Sequence, residues 1–284
     1  MNTNRFRRVR AVPCAVCAVL LVLGAVTAQD GKPSAPQDPV AEMNKTLADA
    51  GLVVDTKGKT IVVPAVMGRP ADPIEFVLVH KRGKAHEALF VTDVKASILN
   101  TAFLLLGFTP GENAKSVERD PLPTAEEVAA GVPFADVFPP KGMNVWFTVR
   151  WKKVDADGNE VGLEVALEDL ILDLATQRSI EDVEWIYLGG NLAPLYRNEP
   201  PVFIGDYEGN LVSQVYRAPP NHLVTVSHKA ADDDERWWLT ETVPPPDTPI
   251  EFVVHKDKPK LHVERDAAIA KRRADEKEGA KKDG

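Results

Sequence analysis

Along most of this chain apolar and polar side chains alternate with a period of two, the pattern of half-buried strands. Leu52–Asp55 and Thr60–Val66 are β-branched runs separated by Thr56-Lys57-Gly58-Lys59, a hairpin signature. Ile74–His80 and Ala88–Val94 form a second pair, joined by the polar turn Lys81–Lys84. Val145–Lys153 and Val161–Ala166 flank Asp155-Ala156-Asp157-Gly158-Asn159 and read as a third hairpin. Val183–Leu188, Pro201–Ile204, Leu211–Tyr216, Leu223–Ser227, Trp237–Thr240 and Ile250–His255 add further strands. Pro73-Ile74-Glu75-Phe76-Val77 recurs as Pro249-Ile250-Glu251-Phe252-Val253. We read the echo as two strands with the same packing demands rather than as a duplicated module.

The period changes to that of a helix in Lys95–Gly107. Ile98, Ala102, Leu105 and Leu106 share a stripe, with Leu99 and Phe103 beside it, and polar residues are so few that the helix belongs in the core. Gly107 suits the C′ position, and Pro110 prevents continuation. Two lesser helices are expected. Ala41–Ala50 stops at Gly51; Pro123–Ala130 carries Thr124 and Glu127 at capping-box spacing, within a long Pro-bearing excursion, Pro110–Gly142. Short strands with hairpin turns argue against βαβ units. The expected fold is α+β: predominantly antiparallel β with one buried helix packed on the sheet, over residues 52–256. Residues 257–284 are almost wholly charged and read as a solvated helix or disordered tail, and truncation after Arg265 is expected to leave the melting temperature nearly unchanged.

The amino terminus decides the compartment. Residues 1–28 read as a secretory signal peptide: Arg5, Arg7, Arg8 and Arg10 are a positive n-region, Ala11–Val26 an apolar h-region, and Val26-Thr27-Ala28 a cleavage site before Gln29. An uncleaved anchor is the alternative. Residues 29–51 then form a polar linker and the short helix. Cys14 and Cys17 both fall in the leader, so thiolate catalysis, Cys-ligated metals and disulfides are excluded from the mature chain. A periplasmic or secreted protein is expected, with no transmembrane helix in its mature form. Without the leader's four arginines, 30 Lys+Arg face 42 Asp+Glu, a net charge of −12. Such a chain repels phosphate backbones, so no nucleic-acid partner is expected.

Candidate chemistry is sparse. His86-Glu87 begins like a zincin helix motif, but Phe90 stands where the second His is required. The six histidines, at 80, 86, 222, 228, 255 and 262, show no i,i+4 pairing on a helical pattern and read as surface or strand-edge residues. Glu168-Asp169, with Asp173, interrupts the apolar run LEVALEDLILDL. Carboxylates in apolar surroundings can act as acid and base, although more often they face solvent. Asp206 opens a turn, Asp206–Asn210. Trp237-Trp238 places one ring on each face of a strand, so one is free for contact or sugar stacking. There is no phosphate-binding glycine loop and no nucleophile elbow. The binding candidates that remain are His86, Glu87, Asp169, Asp206 and Trp238; no catalytic residue, metal site or cofactor is nominated.

Four blocks follow one another in a telling order: Glu75-Phe76-Val77-Leu78-Val79, His86-Glu87-Ala88-Leu89, Val94-Lys95-Ala96-Ser97-Ile98, and Leu104-Leu105-Leu106-Gly107-Phe108-Thr109-Pro110-Gly111. Together they resemble the YdjY-domain family of bacterial exported proteins. Val145–Trp151, Glu168-Asp169, Trp185–Gly190, Val202–Leu211 and Val243–Val254 resemble it as well, so the similarity runs over Leu52–His255. The chain departs from the family at Ala96, where Pro is frequent, and at Asn100, where His is. The resemblance implies an exported domain of this extent. It implies no reaction, because the family's function is uncharacterised. The expected function is a non-enzymatic binding or interaction module with a protein or cell-envelope partner. The alternative is a periplasmic enzyme, or a metal- or carbohydrate-binding protein, with a site near His86 and Glu87.

Overall fold

A computed structural model describes residues 39–71 and 73–282. The expected leader, 1–28, and most of the polar linker lie outside the described residues. The chain opens with helix α1 (Pro39–Asp49), ended by Gly51 at φ 76°. Strands β1 (Val53–Asp55) and β2 (Thr60–Met67) form the expected hairpin, with Asp55 opposite Thr60. β3 (Phe76–His80), β4 (Ala88–Thr92) and helix α2 (Ala96–Leu105) follow. The excursion after α2 holds β5 (Lys115–Glu118), helix α3 (Ala125–Ala129) and β6 (Ala135–Phe138). Thr124 and Glu127 make the predicted capping box at the start of α3.

β7 (Asn144–Val154) and β8 (Glu160–Ala166) form the longest hairpin. A 3-10 turn, Leu167–Leu170, leads to β9 (Ile171–Asp173) and β10 (Arg178–Ser179), then β11 (Glu184–Tyr187). β12 (Leu192–Ala193), β13 (Val202–Phe203) and helix α4 (Ile204–Glu208) precede β14 (Asn210–Ser213). β15 (Val224–Ser227), β16 (Trp237–Leu239), β17 (Pro249–His255) and helix α5 (Lys260–Lys282) complete the chain.

The α+β class holds, but the finer expectation, a predominantly antiparallel sheet with one buried helix packed on it, does not. Among the described residues there are five α-helices, and eight strands close into a mixed barrel in the order β2-β17-β7-β11-β15-β14-β3-β4, with β4 returning to β2. Two neighbouring pairs, β3–β4 and β14–β15, are parallel. Residues 74–94 were expected to turn back as a hairpin. Instead Phe76 lies opposite Ala88, so the connector 81–87 runs back along β3 before β4 begins. Seven residues reach roughly 23 Å, more than the roughly 17 Å length of a five-residue strand. The connector is held down by Gly83 N–H donating to His80 O and by Glu75 N–H donating to Glu87 O.

Alternation along the strands fills the barrel. Ile61, Val63 and Met67 of β2 are buried with Phe147 and Val149 of β7 and Phe252 and Val254 of β17. The rings pack at offset angles: Phe147 to Phe252 at 4.8 Å, Phe147 to Trp185 at 5.7 Å, and Phe90 to Phe252 at 6.0 Å. Each buried ring contributes about 2–3 kcal/mol of transfer free energy. The echoed strands differ in use. Phe252 faces this core, whereas Phe76 sits in a separate small cluster, covered by Lys84 and Arg217.

Helix α2 joins the same core, on a stripe rotated from the expected one. Ala96, Leu99, Ala102 and Phe103 are buried, while Ile98 and Leu105 are only half-buried. Phe103 stacks on Tyr187 with ring centroids 4.7 Å apart, and the Tyr187 hydroxyl donates to Asn100 Oδ1 at 2.5 Å. Lys256 Nζ donates to the carbonyls of Leu106 and Gly107, closing the helix's C-terminal end.

Candidate functional site

The sequence-nominated residues are dispersed. His86 is exposed in a 3-10 turn and reaches Glu87 at 3.2 Å. Glu87 in turn pairs with Lys84 at 3.1 Å. Asp206, on α4, accepts from the Ser97 N–H at 2.8 Å and the Ser97 hydroxyl at 2.6 Å. It thereby caps the first turn of α2, whose own N-cap residue, Lys95, offers no side-chain acceptor. Trp238 is partly exposed on β16 and donates its indole N–H to Glu235 O. Asp169 alone lies beside a substantial recess, paired with Arg265 at 2.6 Å. Among the described residues, no group of three or more His, Cys, Asp or Glu side chains is placed to hold a metal ion.

The recess belongs to α5. The charged tail is a helix, and it docks on the barrel by a row of charged groups. His262 Nε2 meets Glu168 Oε2 at 3.0 Å, and Arg265 donates to Asp169 and to Ile180 O at 2.7 Å. Farther along, Arg273 donates to Glu181 at 2.8 Å and Asp182 at 2.7 Å, and Arg178 reaches Glu276 at 2.8 Å. These helix positions are three, eight and three residues apart, so they fall on one face. Their partners sit on the turns at 167–170 and 180–182 and at Arg178 of β10, far away in sequence.

Between α5, β7 and β11 opens a cleft of about 830 Å³. Val145, Trp146 and Trp185 line it from the strands, Tyr216 and His228 from one side, and Val137 and Pro139 from the excursion. Deepest is Glu168. The run LEVALEDLILDL carries it inward, because the 3-10 turn after β8 buries Leu167, Glu168 and Leu170 together. Its Oε1 accepts from the Trp185 indole N–H at 2.9 Å, and its Oε2 from His262. Burial alone would raise this carboxyl, but the hydrogen bond and charge of His262 outweigh it and hold Glu168 below the usual carboxylate range. An ionised carboxylate only accepts, so Nε2 is the donor. His262 Nδ1 is buried without a partner.

Two further pairs in the cleft are tied in similar fashion, whereas Glu184 and Lys229, which also line it, have no ion pair among the described residues. Arg273 holds Asp182 below its ordinary pKa, and Lys258 pairs with Asp266. Chemically, this arrangement fixes an imidazole against a carboxylate at the wall of the cleft. One nitrogen is committed to Glu168, and the other is buried. The expectation of surface or strand-edge histidines needs correction. His80, His222, His228 and His262 are all buried, and His86 alone is fully exposed. The sequence signal for Glu168 was its place inside an apolar run. For His262 it was the helical spacing with Arg265, Ile269 and Arg273.

Comparison with protein-family models, with characterised proteins and with solved structures finds no match to this chain.

Proposed function

We propose that this protein is an exported, non-enzymatic binding module of the periplasm or cell envelope, of the kind its YdjY-like blocks suggest. The observation that supports this reading most directly is the fixed pairing inside the cleft. Glu168, His262 and Trp185 bind one another, Asp182 binds Arg273, and Asp266 binds Lys258. An acid or base must be free to exchange a proton with substrate within about 3 Å, and these groups are not. What remains open is a recess with aromatic and polar walls, suited to recognition. The alternative, an enzyme or a metal- or carbohydrate-binding site around His86 and Glu87, has less behind it. Those two side chains reach only each other, Lys84 and the neighbouring surface.

Native mass spectrometry of the protein from the periplasmic fraction, purified without chelators, tests the reading. The expected species has the mass of residues 29–284 and carries no metal or small-molecule adduct. A stoichiometric adduct would move the assignment to the alternative. Recovery of the uncleaved chain from the cytoplasm would overturn export.

A further inference from the structure

Between α2 and β7 the chain leaves the barrel in an arm. In it β5 pairs with β6 from Lys115 opposite Phe138 to Glu118 opposite Ala135, and among the described residues neither strand pairs with any other. A lone two-stranded ribbon is marginal in water, and its unpaired edges offer a template for another strand. The arm also gathers apolar side chains in the open. Phe134 is 58% exposed and Phe138 52%, with Val117, Leu122 and Val137 exposed near them. Every other phenylalanine among the described residues is buried or half-buried. Val137 lines the cleft as well, so arm and cleft share a face.

The charge around this strip has a sign. Residues 112–141 hold six carboxylates against three cations, a net charge of −3. Lys115 is paired with Glu112 and Arg119 with Asp136, whereas Glu118, Asp120 and Glu126 have no ion pair among the described residues. An open strand edge, apolar side chains and free carboxylates together describe one kind of occupant. We propose that the arm binds a basic, extended segment of another protein, which adds as a third strand beside the ribbon. Backbone pairing supplies register, Phe134 and Phe138 take its apolar residues, and Glu118 and Asp120 meet its cations. A second copy of the chain would set acidic arms against each other, and anionic lipid would be repelled likewise. The inference rests on the binding-module reading and names the partner's chemistry.

The test uses the protein of residues 29–284 and a labelled eight-residue peptide of alternating Lys and Val, followed by fluorescence anisotropy at low salt. Saturable binding is expected, with amide shifts in NMR spectra confined to residues 115–118 and 135–138. The double substitution Glu118→Lys and Asp120→Lys should weaken it at least tenfold, as should Phe138→Ser. These side chains are exposed, so circular dichroism should be unchanged. Trp238→Ala, on β16, should bind as wild type. Absence of saturable binding overturns the proposal. So does equal binding of an alternating Glu-Val peptide, or binding that survives the arm substitutions. An arm-dependent dimer in analytical ultracentrifugation would assign the surface to self-association instead. Peptide failure beside a bare, exported polypeptide rejects the arm alone. An adduct in native mass spectra beside intact peptide binding rejects the module reading alone.

Discussion

His222 shows what burial does to a single titratable side chain in this protein. It is fully buried, and neither ring nitrogen has a hydrogen-bond partner. Burial, assisted by the charge of Arg217, holds its pKa down at about 4 against an ordinary 6.5. A lowered histidine is neutral in the fold and gains its proton more readily when unfolded. Its contribution is therefore fully present above pH 6.5 and is lost as pH falls toward 4. A drop of that size corresponds to about 3 kcal/mol. His255, also near 4 but more exposed, acts in the same direction with less force. Urea unfolding of His222→Leu should show a loss between pH 7 and 4 that is about 2–3 kcal/mol smaller than in wild type. At pH 7 the variant should be no less stable, because no hydrogen bond is removed. Parallel pH dependences for the two proteins would refute this account. Nothing local marks His222 for burial: it follows Pro219-Pro220-Asn221, a turn-like stretch. It is carried inward by the parallel pairing of β14 with β15, in which Leu223 N–H donates to Leu211 O.

At the scale of elements, legibility followed sequence distance. The β7–β8 hairpin, the α3 capping box and the end of α1 at Gly51 depend on neighbours within a turn, and each was readable. Helix α5 was readable as a possible helix but not as a docked one, since its partners lie 85 to 98 residues away. The interface is almost wholly charged. Exposed pairs such as Arg178 with Glu276 contribute about 0–1 kcal/mol each, but the buried pair of His262 with Glu168 is different. Removing one partner strands a buried charge and costs about 3–5 kcal/mol. Two truncations separate these terms. Ending the chain after Arg265 keeps His262 and Arg265 and should lower the melting temperature only slightly. Ending it after Lys258 leaves Glu168 with Trp185 alone, and should lower the melting temperature by about 10 °C or more and change Trp fluorescence. Identical melting of both truncations and wild type would mean that α5 does not dock in solution.

For the whole molecule, the feature least visible in the sequence is closure. Alternating strands specify sheet, but the alternation is the same whether the sheet stays open or curls shut. The ring contains three short seams, β2–β4, β7–β11 and β14–β15, each of two residue pairs, and the first shows how closure is held. β2 pairs with β17 along its length, from Thr60 opposite His255 to Val66 opposite Pro249, yet meets β4 only through Val66 with Val91 and Met67 with Phe90. Behind the seam, Met67, Phe90 and Phe252 are buried in one cluster. Packing more than hydrogen bonding therefore holds the β2–β4 seam shut, and this seam should open more easily than the long β2–β17 pairing. Native-state hydrogen exchange should find the seam amides of β4 exchanging through openings of lower free energy than those between β2 and β17. Phe90→Ala should cost about 3–5 kcal/mol and should speed exchange first at residues 66–67 and 90–91. If protection is uniform around the barrel in wild type, and Phe90→Ala lowers it equally everywhere, the seam is no weaker than the rest. The barrel would then open as a single cooperative unit.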